Sequence, residues 1–392
     1  MNMLDPASRS SVITKDLYET PERQELRDTV KRFTQKEIVP NLDQWERDGE
    51  LPRTLHKAAA EQGLLGIGFA EEVGGSGGDL LDSVVLTEEI IQAGGSSGVI
   101  AGLFTHGIAL PHIVDSQNQD LIDRYVRPTL NGDLIGALAV TEPDGGSDVA
   151  ALRTTAVDKG DHYLVNGTKT FITSGARADF VTTAVRTGGK GYEGISLLVV
   201  DNGIEVVRKL EKMGWHCSDT AELSFVDVKV PKRNLVGEAH KGFALIMRQF
   251  QVERITMAVE AYATAQRCLD LTVQYVRTRE TFGKPLIKRQ LVSHKLVEMA
   301  QRTALARTYT REVAAMVQDG RECVAEVCFA KNAAVEACAF VVDAAVQLHG
   351  GFGYLRDAEV ERHYRDARIL GIGGGTTEVM AELAARRLGF TS

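Results

Sequence analysis

Three observations along this 392-residue chain predict an α+β fold: a helical block, then a sheet, then a bundle of long helices. Helical spacing and helix caps dominate as far as about residue 135. Short apolar or alternating runs bounded by Gly, Asp and Asn take over from 136 to 240. Four long helical patterns then fill the remainder. The expected domains are an N-terminal helical domain at 15–135, a middle β-barrel or sheet domain at 136–240, and a C-terminal four-helix bundle at 241–392.

In the first block, Thr20-Pro21-Glu22 supplies an N-cap followed by proline at the first helical position. Leu26, Val30 and Phe33 recur at helical spacing, and Pro40 ends the run. Gly74-Gly75-Ser76-Gly77-Gly78-Asp79 opens a helix at Leu80 to Ala93. It lacks the Lys-Ser/Thr of a phosphate loop and no strand clearly precedes it, so it reads as a structural turn. In the middle block, Leu164 to Gly167, Gly194 to Val200 and Ala221 to Phe225 carry strand patterning with no helix between them. A small antiparallel sheet or barrel follows. In the third block, helices are expected at Phe243 to Val276, Ser293 to Asp319, Arg321 to Leu348 and Thr377 to Leu388. The alanine density around Ala333, Ala334, Ala337 and Ala339 permits close helix approach and favours oligomerisation.

Composition bounds the class. Hydrophobic content of 44% and charged content of 25% describe an ordinary globular protein. The net charge of −8 argues against nucleic acid as the main partner. Local basic pairs, Lys31-Arg32 and Arg386-Arg387, read as solvated helix faces. The five cysteines show neither CxxC nor metal-ligand spacing and read as buried thiols in a reducing compartment, with no metal site expected. Met1 to Lys15 is polar and lacks an apolar core of the kind a signal peptide needs. The segment Cys323 to Leu348 is interrupted by Glu326, Lys331, Glu336 and Asp343, so it reads as a buried bundle helix rather than a membrane span. A cytoplasmic enzyme is the expectation.

The chemistry is carried by two segments. Gly374-Gly375-Thr376-Thr377-Glu378-Val379-Met380 offers a flat glycine backbone, and Gln251-Val252-Glu253-Arg254 puts a carboxylate on a helix roughly 120 positions earlier. A base that must approach a substrate carbon, and an N–H that must reach a carbonyl oxygen, need such a pairing. Proton abstraction beside a carbonyl is the reaction it suggests.

Three further motifs make the chain resemble the acyl-CoA dehydrogenase family over nearly its whole length, from about Tyr18 to Phe390. They are Ala139-Val140-Thr141-Glu142-Pro143-Asp144-Gly145-Gly146-Ser147-Asp148, then Lys169-Thr170-Phe171-Ile172-Thr173-Ser174-Gly175, then Gln347-Leu348-His349-Gly350-Gly351-Phe352-Gly353-Tyr354. The resemblance implies FAD as cofactor and an acyl-CoA thioester as substrate. It implies flavin contacts from Leu138, Ala139, Val140, Thr141, Gly146, Ser147, Ile172 and Thr173, with Phe171 covering one ring face. Arg279 resembles the family's arginine for the FAD pyrophosphate of a neighbouring subunit, a role its bidentate fork suits. Phe282, Gln290, Gln347, Leu348, His349, Gly350 and Gly351 match further cofactor positions, as do Thr376, Thr377 and Glu378. A homotetramer, arranged as a dimer of dimers, is thereby implied. Electron-transferring flavoprotein is the implied electron acceptor.

The base is where the family divides. Most members carry the catalytic glutamate immediately before Gly-Thr in the C-terminal motif, and here that position is Gly374. A smaller set, including the long-chain and isovaleryl types, places it on the earlier helix, and Glu253 matches. The long-chain type also shares the Gly-Gly-Thr-x-Glu-(Val/Ile)-Met ending, but commonly has tyrosine where this chain has Gly373. The implied reaction is α,β-dehydrogenation of a medium-chain, long-chain or branched saturated acyl-CoA to the trans-2-enoyl-CoA, in fatty-acid or branched-chain β-oxidation. Substrate contacts are implied for Ser147, Gln251, Arg254, Gly374 and Gly375, with the Gly374 N–H on the thioester oxygen. Arg254, next to the base in sequence, is expected on another helix face. The alternatives are an acyl-CoA oxidase or flavin monooxygenase on the same fold, and a non-catalytic flavin-binding scaffold.

Overall fold

The computed structural model describes residues 15–391. The chain folds into two compact units. One takes the chain up to Val39, Asp79–Ser97 and everything from Gln251 on; the other takes Pro40–Gly78 and Gly98–Phe250.

The first unit is helical. Thr20 caps the helix Pro21–Phe33 by accepting from the Arg23 N–H at 3.3 Å. Before Pro40 the run widens into a π-turn at Thr34–Ile38, closed by Val39 N–H on Thr34 O at 2.9 Å. Asp79 caps the helix Leu80–Gln92 in a reciprocal capping box with Asp82, and both carboxylates pair with Arg23 at 2.8 Å. A helix start so fully occupied by carboxylates is no phosphate cradle, which agrees with the structural-turn reading of the glycines before it. Long helices follow: Gly242–Thr278, which enters this unit at Gln251, then Gln290–Gln318 and Val324–His349. Val324–His349 packs against Gln290–Gln318, Glu359–Ala367 and Thr377–Arg387, with Ala334, Ala337 and Ala345 buried. The helix Glu359–Ala367 is absent from the sequence-based expectations. Its buried face carries Arg362, His363 and Asp366 beside Val360 and Ala367, and at nine residues it holds too few apolar positions to stand out in the sequence.

Glu88 ties four of these helices together. Its carboxylate accepts from Arg311 at 2.6 and 2.8 Å, from Arg27 at 3.0 Å and from Tyr262 at 2.6 Å. Burial alone would raise its pKa. The two guanidinium groups outweigh burial and hold it at about 2.

The second unit is built on an eight-stranded sheet: β1 (Gly136–Ala139), β2 (Thr155–Asp158), β3 (His162–Thr173), β4 (Phe180–Arg186), β5 (Ile195–Val200), β6 (Ile204–Lys209), β7 (Thr220–Pro231) and β8 (Leu235–Val236). The order is β6-β7-β3-β2-β4-β5-β8, with β1 also paired to β4. The expectation of an antiparallel sheet needs correction, because β1 and β2 both run parallel to β4. Parallel pairing requires a crossover, and here the β2–β3 hairpin supplies the intervening chain between β1 and β4. β4 and β5 are buried on both faces and distribute alternate residues to two cores. Phe180, Ala184, Leu197 and Val199 join Leu110, Ile113, Tyr125 and Val126. Val181, Val185, Leu198 and Val200 join Tyr163, Val165, Leu223 and Phe225.

β3 is longer than the run Leu164 to Gly167 suggests, because Gly167 does not end it. A side chain there would lie 2.5 Å from Thr154 Oγ1, and the β3–β7 register shifts at this point. The glycine marks a close backbone approach at a bulge. All five cysteines are buried and free. Among the described residues, no single helix is long and apolar enough to cross a membrane.

Candidate active site

Glu253 lies in the helix Gly242–Thr278, with Arg254 beside it and Met257 one turn further on. The loop Gly373–Gly375 lies between the turn Arg368–Gly371 and the helix Thr377–Arg387, whose N-cap Thr376 accepts from Val379 N–H at 3.3 Å. Gly374 has φ +60, a left-handed conformation that disfavours other residues. A Cβ placed on Gly374 would lie 2.6 Å from Met257 Sδ, 3.5 Å from Glu253 Oε1 and 3.7 Å from Lys331 Nζ. The Glu253 carboxylate therefore sits where a side chain at position 374 would project. The resemblance implies two alternative places for one carboxylate, and the fold brings both to one spot.

The loop is held from two sides. Arg254 Nε donates to Gly374 O at 3.1 Å, and Lys331 Nζ donates to Gly373 O and Gly375 O. Three consecutive carbonyls thus face two buried cations. Arg254 does not turn away as its neighbouring position suggests. The side chains leave the helix about 100° apart, but the guanidinium reaches back to the loop beside Glu253. Glu253 Oε2 is buried and accepts no hydrogen bond among the described residues. Burial pushes its pKa up, and the charges of Lys331 and then Arg254 oppose that rise. Glu260, two turns along, is pushed to about 8 by burial and by the charges of Glu253 and Asp366. At neutral pH it is mostly protonated.

Sequence reasoning misses Lys331 and Met257. In the sequence Lys331 reads only as an interruption in an apolar helix. A lysine set among alanines in such a helix was the available signal.

The flavin motifs lie in the sheet unit. Leu138, Ala139 and Val140 are buried at the end of β1, and a tight turn joins Glu142 to Gly145 through two 3.0 Å backbone bonds. Thr141 and Thr170 bond to each other's backbone. Beneath them Lys169 Nζ donates to Glu142 Oε1 at 2.8 Å and to Val140 O at 2.9 Å. Glu142 also accepts from the N–H groups of Arg153 at 2.6 Å and Thr154 at 2.9 Å. Burial would raise the Glu142 pKa, but Lys169 outweighs it and the net shift is downward. Burial pushes Lys169 to about 8. Gly146 and Ser147 are exposed at the rim, Ile172 is buried and Thr173 half-buried.

A third group gathers in the helical unit. Arg279, Phe282 and Gln290 surround the short hairpin Glu280–Thr281 and Lys284–Pro285, and all three are exposed. Gln347 to Gly351 end the helix Val324–His349, where Tyr275 stacks on His349 at 4.3 Å and donates to its carbonyl at 3.2 Å. Thr376, Thr377 and Glu378 start the C-terminal helix.

The residues present fit FAD. Phe171 has φ +61 at the second β3–β7 register shift and leaves its ring 69% exposed. A strained bulge that holds an aromatic ring outward suits a flat partner stacked on it. Arg279 makes no side-chain hydrogen bond or ion pair among the described residues, so its fork is available to a pyrophosphate.

Comparison with known proteins agrees. The family described as "Acyl-CoA dehydrogenase, N-terminal domain" matches residues 20–133, the middle domain 137–228 and the C-terminal domain 240–389. The mitochondrial long-chain specific acyl-CoA dehydrogenase of Rattus norvegicus is 38% identical over 369 residues, covering 92% of this chain and 85% of that protein. An acyl-CoA dehydrogenase of Bacillus subtilis is 36% identical, covering 95% and 99%. The crystal structure of a probable acyl-CoA dehydrogenase from Mycobacterium abscessus is 62% identical, covers 95% of this chain and 100% of its own, and superposes with a TM-score of 0.94. The chain belongs to the acyl-CoA dehydrogenase family, whose FAD-dependent dehydrogenation of acyl-CoA thioesters and three-part fold it shares.

Proposed function

We propose that Glu253 is the base that removes the α-proton of the acyl-CoA, and that Gly374 supplies backbone rather than a side chain. One observation carries this reading: Glu253 Oε1 lies 3.5 Å from the position a Cβ on Gly374 would take. A glutamate at either place addresses the same point. FAD, when bound, supplies the acceptor for the β-hydrogen as hydride.

The protein's part is to make a weakly acidic C–H accessible to a carboxylate. The Gly374 N–H donates to the thioester oxygen as it gains charge, an interaction typically worth about 3–4 kcal/mol. Burial of Glu253 strengthens it as a base, while the charges of Lys331 and then Arg254 oppose that rise and favour its ionised form. Protonated Glu260 adds no competing charge at that pH. The glycines at 373 and 374 leave the wall beside the thioester without side chains, which supports a medium-chain, long-chain or branched acyl group. Met257, whose Cε would lie 3.1 Å from a Cβ on Gly373, bounds that space. We further place the enzyme in the cytoplasm as a dimer of dimers that passes electrons to electron-transferring flavoprotein in fatty-acid or branched-chain β-oxidation. Exposed Arg279 and the Gln347–Gly351 segment support the assembly.

The test is Glu253→Gln, which keeps shape and removes the base. FAD content and acyl-CoA binding should persist while anaerobic flavin reduction falls by orders of magnitude; a near wild-type rate would overturn the assignment. Rates over straight C4–C18 and branched acyl-CoAs decide the acyl group, and oxygen consumption separates an oxidase from a dehydrogenase.

A further inference from the structure

Lys331 lies in the middle of the helix Val324–His349 with no solvent exposure, and its ammonium has no carboxylate within ion-pair distance among the described residues. A buried cation without such a partner is costly unless its protons are otherwise bonded. Here they go to the carbonyls of Gly373 and Gly375. A trans peptide is planar, with its C=O and the following N–H pointing in opposite directions. A Gly373 carbonyl drawn toward Lys331 therefore sends the Gly374 N–H the other way. That N–H donates to no acceptor among the described residues. Arg254 fixes the next peptide in the same manner through Gly374 O. Glycine alone does not select this arrangement, because at φ +60 it has many alternatives of similar energy. The two cations make the selection.

We propose that Lys331 is a positioning residue for proton abstraction: by holding Gly373 O and Gly375 O it aims the Gly374 N–H at the thioester oxygen and sets a positive charge beside Glu253. This rests on Glu253 as base and the Gly374 N–H as donor. The charged and titratable groups that face Lys331 are Glu253 and Arg254 from the helix Gly242–Thr278 and Cys328 from its own helix; the glycine loop brings none. Removing the ammonium has two separable consequences. The loop loses its anchor, which lowers the rate. Glu253 loses a stabilising charge, which raises its pKa and moves the acid limb of the pH profile upward. Burial also pushes Lys331 itself to about 8, so its charge fades at higher pH and contributes an alkaline limb to the wild-type profile there, alongside Glu260, which faces Glu253 and also titrates at about 8.

Phenylacetyl-CoA isolates the proton step, because it has α-hydrogens and no hydrogen on the β-carbon to transfer. Its α-deuterium uptake in D2O, followed by proton NMR with the FAD-loaded enzyme, is compared for wild type, Lys331→Met, Lys331→Arg and Glu253→Gln across pH. For Lys331→Met we expect retained FAD, exchange slowed by about 100-fold, the scale for loss of one oxyanion donor, and an acid limb displaced to higher pH. Lys331→Arg carries the charge on a differently shaped head. It should keep the wild-type acid limb, reduce the alkaline limb to the part that Glu260 contributes, and run slower. If Lys331→Met does not fold, Lys331→Arg decides by the same two limbs. Wild-type rate and limbs in the folded variant would overturn the proposal. Exchange surviving in Glu253→Gln would instead refute the base assignment beneath it. An inert Glu253→Gln beside a wild-type-like Lys331→Met would remove only the role of Lys331.

Discussion

Gly374→Ala is a one-carbon change whose cost the structure specifies. Two effects add. The residue sits at φ +60, where an alanine costs about 1–2 kcal/mol relative to glycine. Its Cβ would also lie 2.6 Å from Met257 Sδ, well inside contact, and overpacking of this kind costs about 1–3 kcal/mol. The sum is about 2–5 kcal/mol. Only the second part belongs to Met257. Met257→Ala alone leaves a cavity costing about 2–5 kcal/mol, but in the double variant the overlap is gone and the strain remains. A double-mutant cycle in urea denaturation of the FAD-loaded enzyme should therefore return a coupling of about 1–3 kcal/mol. The same logic governs relocation of the base. Gly374→Glu in a Glu253→Gln background should restore little flavin reduction, and adding Met257→Ala should restore more. A cost below about 0.5 kcal/mol for Gly374→Ala, or the absence of coupling to Met257, would refute this account of the loop.

Three other outcomes are expected. Glu88 has a folded pKa of about 2 against about 4.3 unfolded, so it contributes stability at neutral pH that is lost as pH falls from about 4.3 towards 2. The contribution is about 3 kcal/mol; Glu88→Gln should flatten acid unfolding by that amount and strand buried Arg311, and an unaltered acid profile would contradict it. Lys169→Met leaves Glu142 buried without its cation and should cost about 3–5 kcal/mol together with much of the bound FAD, both readable by thermal melts and flavin absorbance. Arg279→Ala should release FAD and lower thermal stability in parallel, since a bound cofactor stabilises only the form that holds it; a fully flavinated monomer in light scattering would count against binding across an interface.

The order helix, sheet, helix was legible in the sequence because caps and periodicity are local. Thr20-Pro21, the Asp79 cap and the long apolar patterns after 242 each specify their own element. The motifs around Thr141, Phe171 and Gly350 were legible too, since they are contiguous and specific. What escaped was whatever depends on partners far apart in the chain. β3 runs through Gly167 because Thr154 comes too close for a side chain there. Glu359–Ala367 is held by partners remote in sequence, packing on Val324–His349 and pairing through Glu359 with Arg267 at 2.7 Å. Glu253 could be matched to a role from sequence, but no local pattern says that its carboxylate reaches the space beside Gly374. Nor does any say that Lys331 and Arg254 converge on three successive carbonyls. Those are facts about which atoms meet after packing, and a buried charge acquires its function only from what the fold places next to it.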